Sequence, residues 1–188
     1  MSIWNLNVNC GITFGEDSRL TVGEKLKSYG ATTALLLYDM AMDQFGYQRE
    51  IEKVINDANI KVVCYQVEEG EPTAQKSDRA YDFAKDKSVD AIVAIGGGST
   101  MDTGKMVGKL LANGGKTRDY QNNPCIGNTV FRPLIALPST AGTGAELTPY
   151  LTCATEVGKK GGVANTPVTC AIVDPVLTYK LPPVVTAN

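Results

Sequence analysis

The chain has 188 residues, 43% of them hydrophobic and 7% aromatic, and its 18 Lys and Arg against 20 Asp and Glu leave a net charge of −2. That length supports one domain, or two small ones, with a substantial core, and the composition suits a folded α/β protein rather than a disordered chain. The balanced charge, with Lys159-Lys160 as the one basic pair, argues against a nucleic-acid partner.

No apolar run approaches the roughly 20 residues that span a bilayer. Met1-Ser2-Ile3-Trp4-Asn5-Leu6 lacks the basic region and apolar stretch of a signal peptide. The five cysteines, Cys10, Cys64, Cys125, Cys153 and Cys170, form no CxxC pair. They read as reduced thiols of a cytoplasmic protein, with Cys64, Cys153 and Cys170 placed for core packing. Histidine is absent. That excludes a His-based triad, a His general base and any His-containing zinc site.

In chain order, Ala34-Leu35-Leu36-Leu37-Tyr38 is a continuous apolar run, as in a parallel strand covered on both faces, and it ends at Asp39. Ile51, Val54, Ile55 and Ala58 recur at helical spacing. Residues 60–67 read as a second strand, followed by the polar turn Glu68-Glu69-Gly70-Glu71-Pro72-Thr73. A helix over about 74–87 would place Ala74, Ser77, Tyr81 and Ala84 on one side. The run Ala91-Ile92-Val93-Ala94-Ile95 comes next, then Gly96-Gly97-Gly98-Ser99, and then a helix with the apolar stripe Met106, Val107, Leu110 and Leu111. Asn113-Gly114-Gly115 stops that helix.

Beyond Lys116 the pattern loosens. Leu134-Ile135-Ala136-Leu137 is a short buried strand that leads into Pro138-Ser139-Thr140-Ala141-Gly142-Thr143-Gly144-Ala145-Glu146. Segments 147–154 and 169–173 read as further short strands. Pro182-Pro183-Val184-Val185-Thr186-Ala187 reads as the opening of a helix. The alternation of strands and helices predicts an α/β fold, a Rossmann-like parallel sheet with helices on both faces and a small irregular or β-hairpin extension. Ligands of such sheets bind beyond the carboxyl ends of the strands, where Asp39 and the three glycines fall.

Three successive glycines at a strand-to-helix turn let a phosphate approach bare amides at a positive helix end. The turn does not match G-x-G-x-x-G. Ser99-x-x-Asp102 also fits a capping box with Ser99 as N-cap, so a helix cap after a tight turn is the plainer reading. Asp39 is placed to accept hydrogen bonds from both hydroxyls of an adenosine ribose and to repel a 2′-phosphate, favouring NAD while leaving NADP open. An Asp in an ordinary βα turn is the alternative. Ser139, Thr140 and Thr143 offer hydroxyls suited to phosphate, ribose or carboxamide. An acyl-transfer role for Ser139 lacks a base, and a plain polar turn is the simpler alternative.

In order and spacing, these segments resemble the iron-containing, metal-dependent alcohol dehydrogenase family. The matching segments begin with Ile12-Thr13-Phe14-Gly15, Asp39 and Pro72-Thr73. They continue with the stretch from Asp90 through the glycine turn to Lys105, Leu137-Pro138 through Glu146, and Ala171-Ile172-Val173-Asp174-Pro175-Val176-Leu177-Thr178. The resemblance implies an NAD(P)-binding N-terminal domain facing an all-helical one.

By matching position, Gly97, Gly98 and Ser99 would hold the pyrophosphate and Asp39 the adenosine ribose. Ser139, Thr140 and Thr143 would line the path toward the nicotinamide, and Asp102 would lie at its nicotinamide end. Lys160 and Leu181 carry over as further cofactor contacts. Glu71 stands where the family often has Asn. The family's divalent metal, iron or zinc, is held by an Asp and usually three His of the helical domain, so no metal ligand and no catalytic residue is assigned here. Residues 1–188 would then be the cofactor domain of an enzyme for small alcohols or aldehydes, inactive alone. A nucleotide-binding module that self-associates is the alternative. Glycerol or sugar-phosphate dehydrogenases and dehydroquinate synthase share the plan, and segment 139–146 favours the alcohol dehydrogenases among them.

Overall fold

The structure, a computed structural model, describes residues 10–122, 133–155 and 160–184. Six strands form one parallel sheet: β1 (Gly11–Phe14), β2 (Thr33–Tyr38), β3 (Lys61–Gln66), β4 (Ala91–Gly96), β5 (Leu134–Pro138) and β8 (Cys170–Val173). Their order across the sheet is β1-β8-β5-β4-β2-β3. Two antiparallel strands, β6 (Leu151–Ala154) and β7 (Lys160–Val163), form a separate hairpin. The helices are α1 (Val22–Ser28), α2 (Met40–Gln44), α3 (Tyr47–Asp57), α4 (Ala74–Ala84), α5 (Gly98–Asn113) and α6 (Thr117–Asn122). This is the predicted α/β architecture with its hairpin extension. Among the described residues no helix is long and apolar enough to cross a membrane.

The uninterrupted apolar runs are explained by burial on both faces. Val93 and Ile95 of β4 join Leu36, Ile55, Ile135 and Ile172 in one core. Ile92 and Ala94 turn to the opposite face, with Leu35, Leu37, Met101 and Val107. Each such fully buried aliphatic side chain contributes about 1.5–3 kcal/mol relative to exposure. Helix α5 lies unusually close to the sheet because it carries glycines on its inner face. A Cβ on Gly104 would sit 3.2 Å from Ala94 Cβ, and one on Gly108 3.3 Å from Ile92 Cδ1.

Several boundaries differ from the expected ones. The helix expected over 74–87 ends at Ala84, and its buried face carries Ala80 while Tyr81 is only partly covered. The strand expected over 147–154 is confined to Leu151–Ala154, because 139–150 forms turns above the sheet. Helices α1 and α6 were not legible, being short and without a clear apolar period. Cys153 and Cys170 are buried as expected, whereas Cys64 is only partly so and carries a hydrogen bond from the Gln48 amide. Cys125, the N-terminal hexapeptide and 185–187 of the expected final helix lie outside the described residues.

Sheet order sets where a ligand can enter. From β2 the chain moves outward to β3, then returns to place β4 on the other side of β2 and continues to β5. The loops after β2 and β4 therefore diverge in opposite directions, which opens a crevice between their carboxyl ends.

Candidate functional site

Asp39 and the glycine turn meet at that crevice. Asp39 caps α2, its Oδ1 accepting from the Met42 amide at 3.0 Å. Its Oδ2 accepts from the Gly97 amide at 3.1 Å, 58 residues away in sequence. Gly96 has φ +149°, and a Cβ there would collide with Asp39 Oδ2 and lie 2.7 Å from Thr100 Oγ1. Glycine is thus demanded twice, by the backbone and by the close approach of the carboxylate.

The capping box expected at Ser99 and Asp102 is not formed. Gly97 is the N-cap of α5, in extended conformation, with no side chain capping it. Its carbonyl accepts from the amides of Thr100 and Met101 at 3.0 and 3.2 Å. The helix starts two residues earlier than the sequence pattern suggested, with Gly97 rather than Ser99 as its N-cap, because the glycines complete the reversal. Amides of the first helical turn, Gly98 and Ser99 among them, have no intrahelical acceptor, and the positive end of a 16-residue helix lies behind them. Ser99 instead donates its hydroxyl to the Gly70 carbonyl at 3.1 Å, tying the turn to the loop after β3.

A cavity opens on each side of this turn. One, of about 470 Å³, is lined by Asp39, Met40, Glu68, Glu69, Gly70, Gly97 and Thr100. The other, of about 460 Å³, is lined by Pro72, Gly98, Asp102, Thr143, Thr148, Tyr150 and Thr152. Ser99 borders both. Segment 139–145 closes over the turn: a Cβ on Gly98 would lie 3.0 Å from Thr143 Oγ1, and one on Gly97 3.7 Å from Thr140 Oγ1. Ser139 is buried and its amide donates to the Gly96 carbonyl at 2.9 Å. It fixes the register of this roof without bordering either cavity.

Asp102 is held from behind. Its Oδ2 accepts from the Thr152 amide at 3.1 Å, and the Thr152 hydroxyl lies 3.4 Å away. Its Oδ1 faces Lys105 Nζ at 3.4 Å. Burial raises the Asp102 carboxyl above its ordinary value, with Thr152 and Lys105 pulling the other way. Burial lowers the Lys105 ammonium, with Asp102 opposing. The role of Lys105, Thr148 and Thr152 was not anticipated; the available signal was a lysine inside the buried stripe of α5.

Two expected residues stand apart. Lys160 opens β7 and forms an exposed ion pair with Glu71 at 3.0 Å, beside Pro72 and Thr152 at the rim. Leu181 follows a short turn at 175–178 and borders neither cavity. Among the described residues no group of three His, Cys, Asp or Glu is placed to hold a metal ion. With histidine absent from the chain, the residues present do not fit the family's metal. They do fit a dinucleotide: a glycine cradle that tolerates no Cβ at Gly96, a helix start, and one cavity on each flank.

Comparison with known proteins identifies the family and the fold. The pattern of iron-containing alcohol dehydrogenases matches residues 10–175. The NAD-dependent methanol dehydrogenase of Bacillus methanolicus is 36% identical over 168 residues, covering 86% of this chain and 43% of that protein. The mitochondrial hydroxyacid-oxoacid transhydrogenase of Mus musculus is 35% identical, covering 100% of the chain and 41% of that protein. The sulfoacetaldehyde reductase of Bifidobacterium kashiwanohense, solved with NAD+, superposes with a TM-score of 0.90 at 25% identity, over 100% of this chain and 50% of that one. The chain spans about half the length of the relatives it matches. It belongs to the iron-containing alcohol dehydrogenase family.

Proposed function

We propose that this chain supplies the NAD-binding half of an oxidoreductase that interconverts a small alcohol and its carbonyl compound by hydride transfer. The observation that carries the reading is the glycine turn at the β2/β4 crevice, with a cavity on each side. Amides at Gly98 and Ser99 receive the pyrophosphate. The adenosine lies on the Asp39 side, where each carboxylate oxygen retains acceptor capacity for a ribose hydroxyl beyond its present bond. The nicotinamide lies on the Asp102 side, under Thr140 and Thr143, with Lys160 at the outer rim. When bound, NAD supplies the hydride acceptor; the protein residues orient it and shield its face. Asp39, with Glu68 and Glu69 close by, favours NAD over NADP by charge.

The metal that activates the alcohol in this family requires ligands that these 188 residues do not offer. The chain alone therefore binds cofactor without appreciable turnover. A cytoplasmic setting agrees with the free thiols of Cys10, Cys64, Cys153 and Cys170. Titration calorimetry with NAD+, NADP+ and ADP-ribose tests the reading. Saturable binding of NAD+ in preference to NADP+ is expected, and absence of binding to all three would overturn it. Chelator-sensitive alcohol oxidation by the purified chain would defeat the claim that it is inactive alone.

A second reading is favoured by exposed apolar side chains, with Phe14 at 74% and Tyr150 at 61%: a module whose uncovered faces pair with another copy. Light scattering separates the two, since a monomer at every concentration excludes self-association.

A further inference from the structure

Lys105 has a side chain with 0% exposure, an expensive state for an ammonium group unless every proton finds an acceptor. All three do. Nζ donates to the Tyr150 carbonyl at 2.7 Å, to Thr148 Oγ1 at 3.3 Å and to Asp102 Oδ1 at 3.4 Å. Those three acceptors belong to residues that line the 460 Å³ cavity, so the ammonium sits behind the wall and touches it at three points. Among the described residues, Asp102 faces Lys105 from its own helix and Thr152 and the buried Cys153 from β6, while Glu146 and the Tyr150 carbonyl, from the loop before β6, face the Lys105 ammonium.

We propose that Lys105 is a positioning residue of the cofactor cleft, whose buried ammonium fastens segment 148–150 to α5 and keeps Asp102 an ionised carboxylate at the cleft wall. The placement of the nicotinamide beside that wall rests on the function proposed above. An anionic wall there favours the oxidised cofactor, whose ring carries a positive charge that the reduced ring lacks. Without the ammonium, Asp102 remains desolvated and keeps only the Thr152 hydrogen bonds to stabilise its charge. Its protonation then moves to higher pH, because the positive neighbour that opposed burial is gone.

The test uses Lys105→Met, which keeps length and apolar volume, and Lys105→Arg, which keeps the charge. The first readout needs no cofactor: the Thr152 amide donates to Asp102, so its proton and nitrogen shifts against pH report that carboxyl. In Lys105→Met the midpoint is expected to rise by about one unit or more, the size expected when a close opposite charge is removed. In Lys105→Arg it should stay near that of the unaltered chain, and in Asp102→Asn/Lys105→Met the titration should vanish. A midpoint unchanged by Lys105→Met overturns the proposal, as does a shift equally large in Lys105→Arg.

The second readout is the ratio of NAD+ to NADH affinity, expected to fall about tenfold in Lys105→Met at a pH where Asp102 has become protonated, as for loss of about 1.4 kcal/mol. A merely structural role would weaken both forms alike and leave the ratio fixed. Should the unaltered chain bind neither form, the function proposed above fails while the Thr152 titration still decides the role of Lys105. If Lys105→Met does not fold, Lys105→Gln, which keeps two donors, takes its place in both readouts.

Discussion

Replacing Gly96 by alanine probes the junction on which the site is built. Two costs add at this residue. A φ of +149° is essentially reserved for glycine, and holding alanine there costs about 1–3 kcal/mol. The new methyl would also collide with Asp39 Oδ2, which accepts from the Gly97 amide. Asp39 must swing away, and losing a hydrogen bond to a charged acceptor costs about 1.5–3 kcal/mol. The sum is about 2.5–6 kcal/mol, a large share of the about 5–15 kcal/mol that holds a typical domain together.

Urea unfolding of Gly96→Ala, Asp39→Ala and the double variant resolves the two costs. Truncating Asp39 removes its part of the collision and leaves only the approach to Thr100 Oγ1 at 2.7 Å, so the double variant should be more stable than additivity predicts, by about 1–2 kcal/mol. The backbone cost should remain. A Gly96→Ala variant within about 0.5 kcal/mol of the unaltered chain, in the range of a neutral surface substitution, would refute the reasoning. Strict additivity would show that Asp39 is not what the methyl meets.

Asp39→Ser keeps a side chain able to cap α2 but removes the negative charge from the adenosine cavity. NADP+ affinity should rise about tenfold relative to NAD+ in calorimetry, the scale of one charge interaction near a protein surface, and an unchanged ratio would remove Asp39 from cofactor selection. Beyond the carboxyl end of β8, Asp174 is 0% exposed and accepts from Arg19 Nη1 at 2.9 Å and the Arg19 amide at 3.1 Å. Asp174→Asn should cost about 3 kcal/mol by leaving part of the guanidinium charge unanswered, a fall of roughly 6–12 °C in Tm for a chain of this size. A fall under about 2 °C would mean that Glu50 and Asp17, which also pair with Arg19, suffice alone.

The central sheet was legible because strands buried on both faces leave unbroken apolar runs: 34–38, 91–95 and 134–137 all fall within β2, β4 and β5. The glycine turn was legible for the same local reason, since three glycines after such a run have few other uses. What the sequence concealed was the partner of each motif. The capping pattern at Ser99 and Asp102 is locally plausible, yet Ser99 bonds to Gly70 and Asp102 to Thr152, while Asp39 takes the amide of Gly97, the actual N-cap. Lys105 and Lys109 interrupt the stripe of α5 and would ordinarily be counted as solvent-facing, but both are buried, reaching the carbonyls of Tyr150 and Ala164. Those acceptors lie 45 and 55 residues away, beyond the reach of any local pattern. Leu181 illustrates the opposite limit, a residue assigned by position in a family that borders neither cavity.

A crystal structure of the chain with NAD+ tests the central claim most directly. The pyrophosphate is predicted within hydrogen-bonding distance of the Gly98 and Ser99 amides, with a ribose hydroxyl on Asp39 and the nicotinamide in the cavity lined by Asp102 and Thr152. A dinucleotide bound away from the β2/β4 crevice, or lying with its nicotinamide on the Asp39 side, would contradict it.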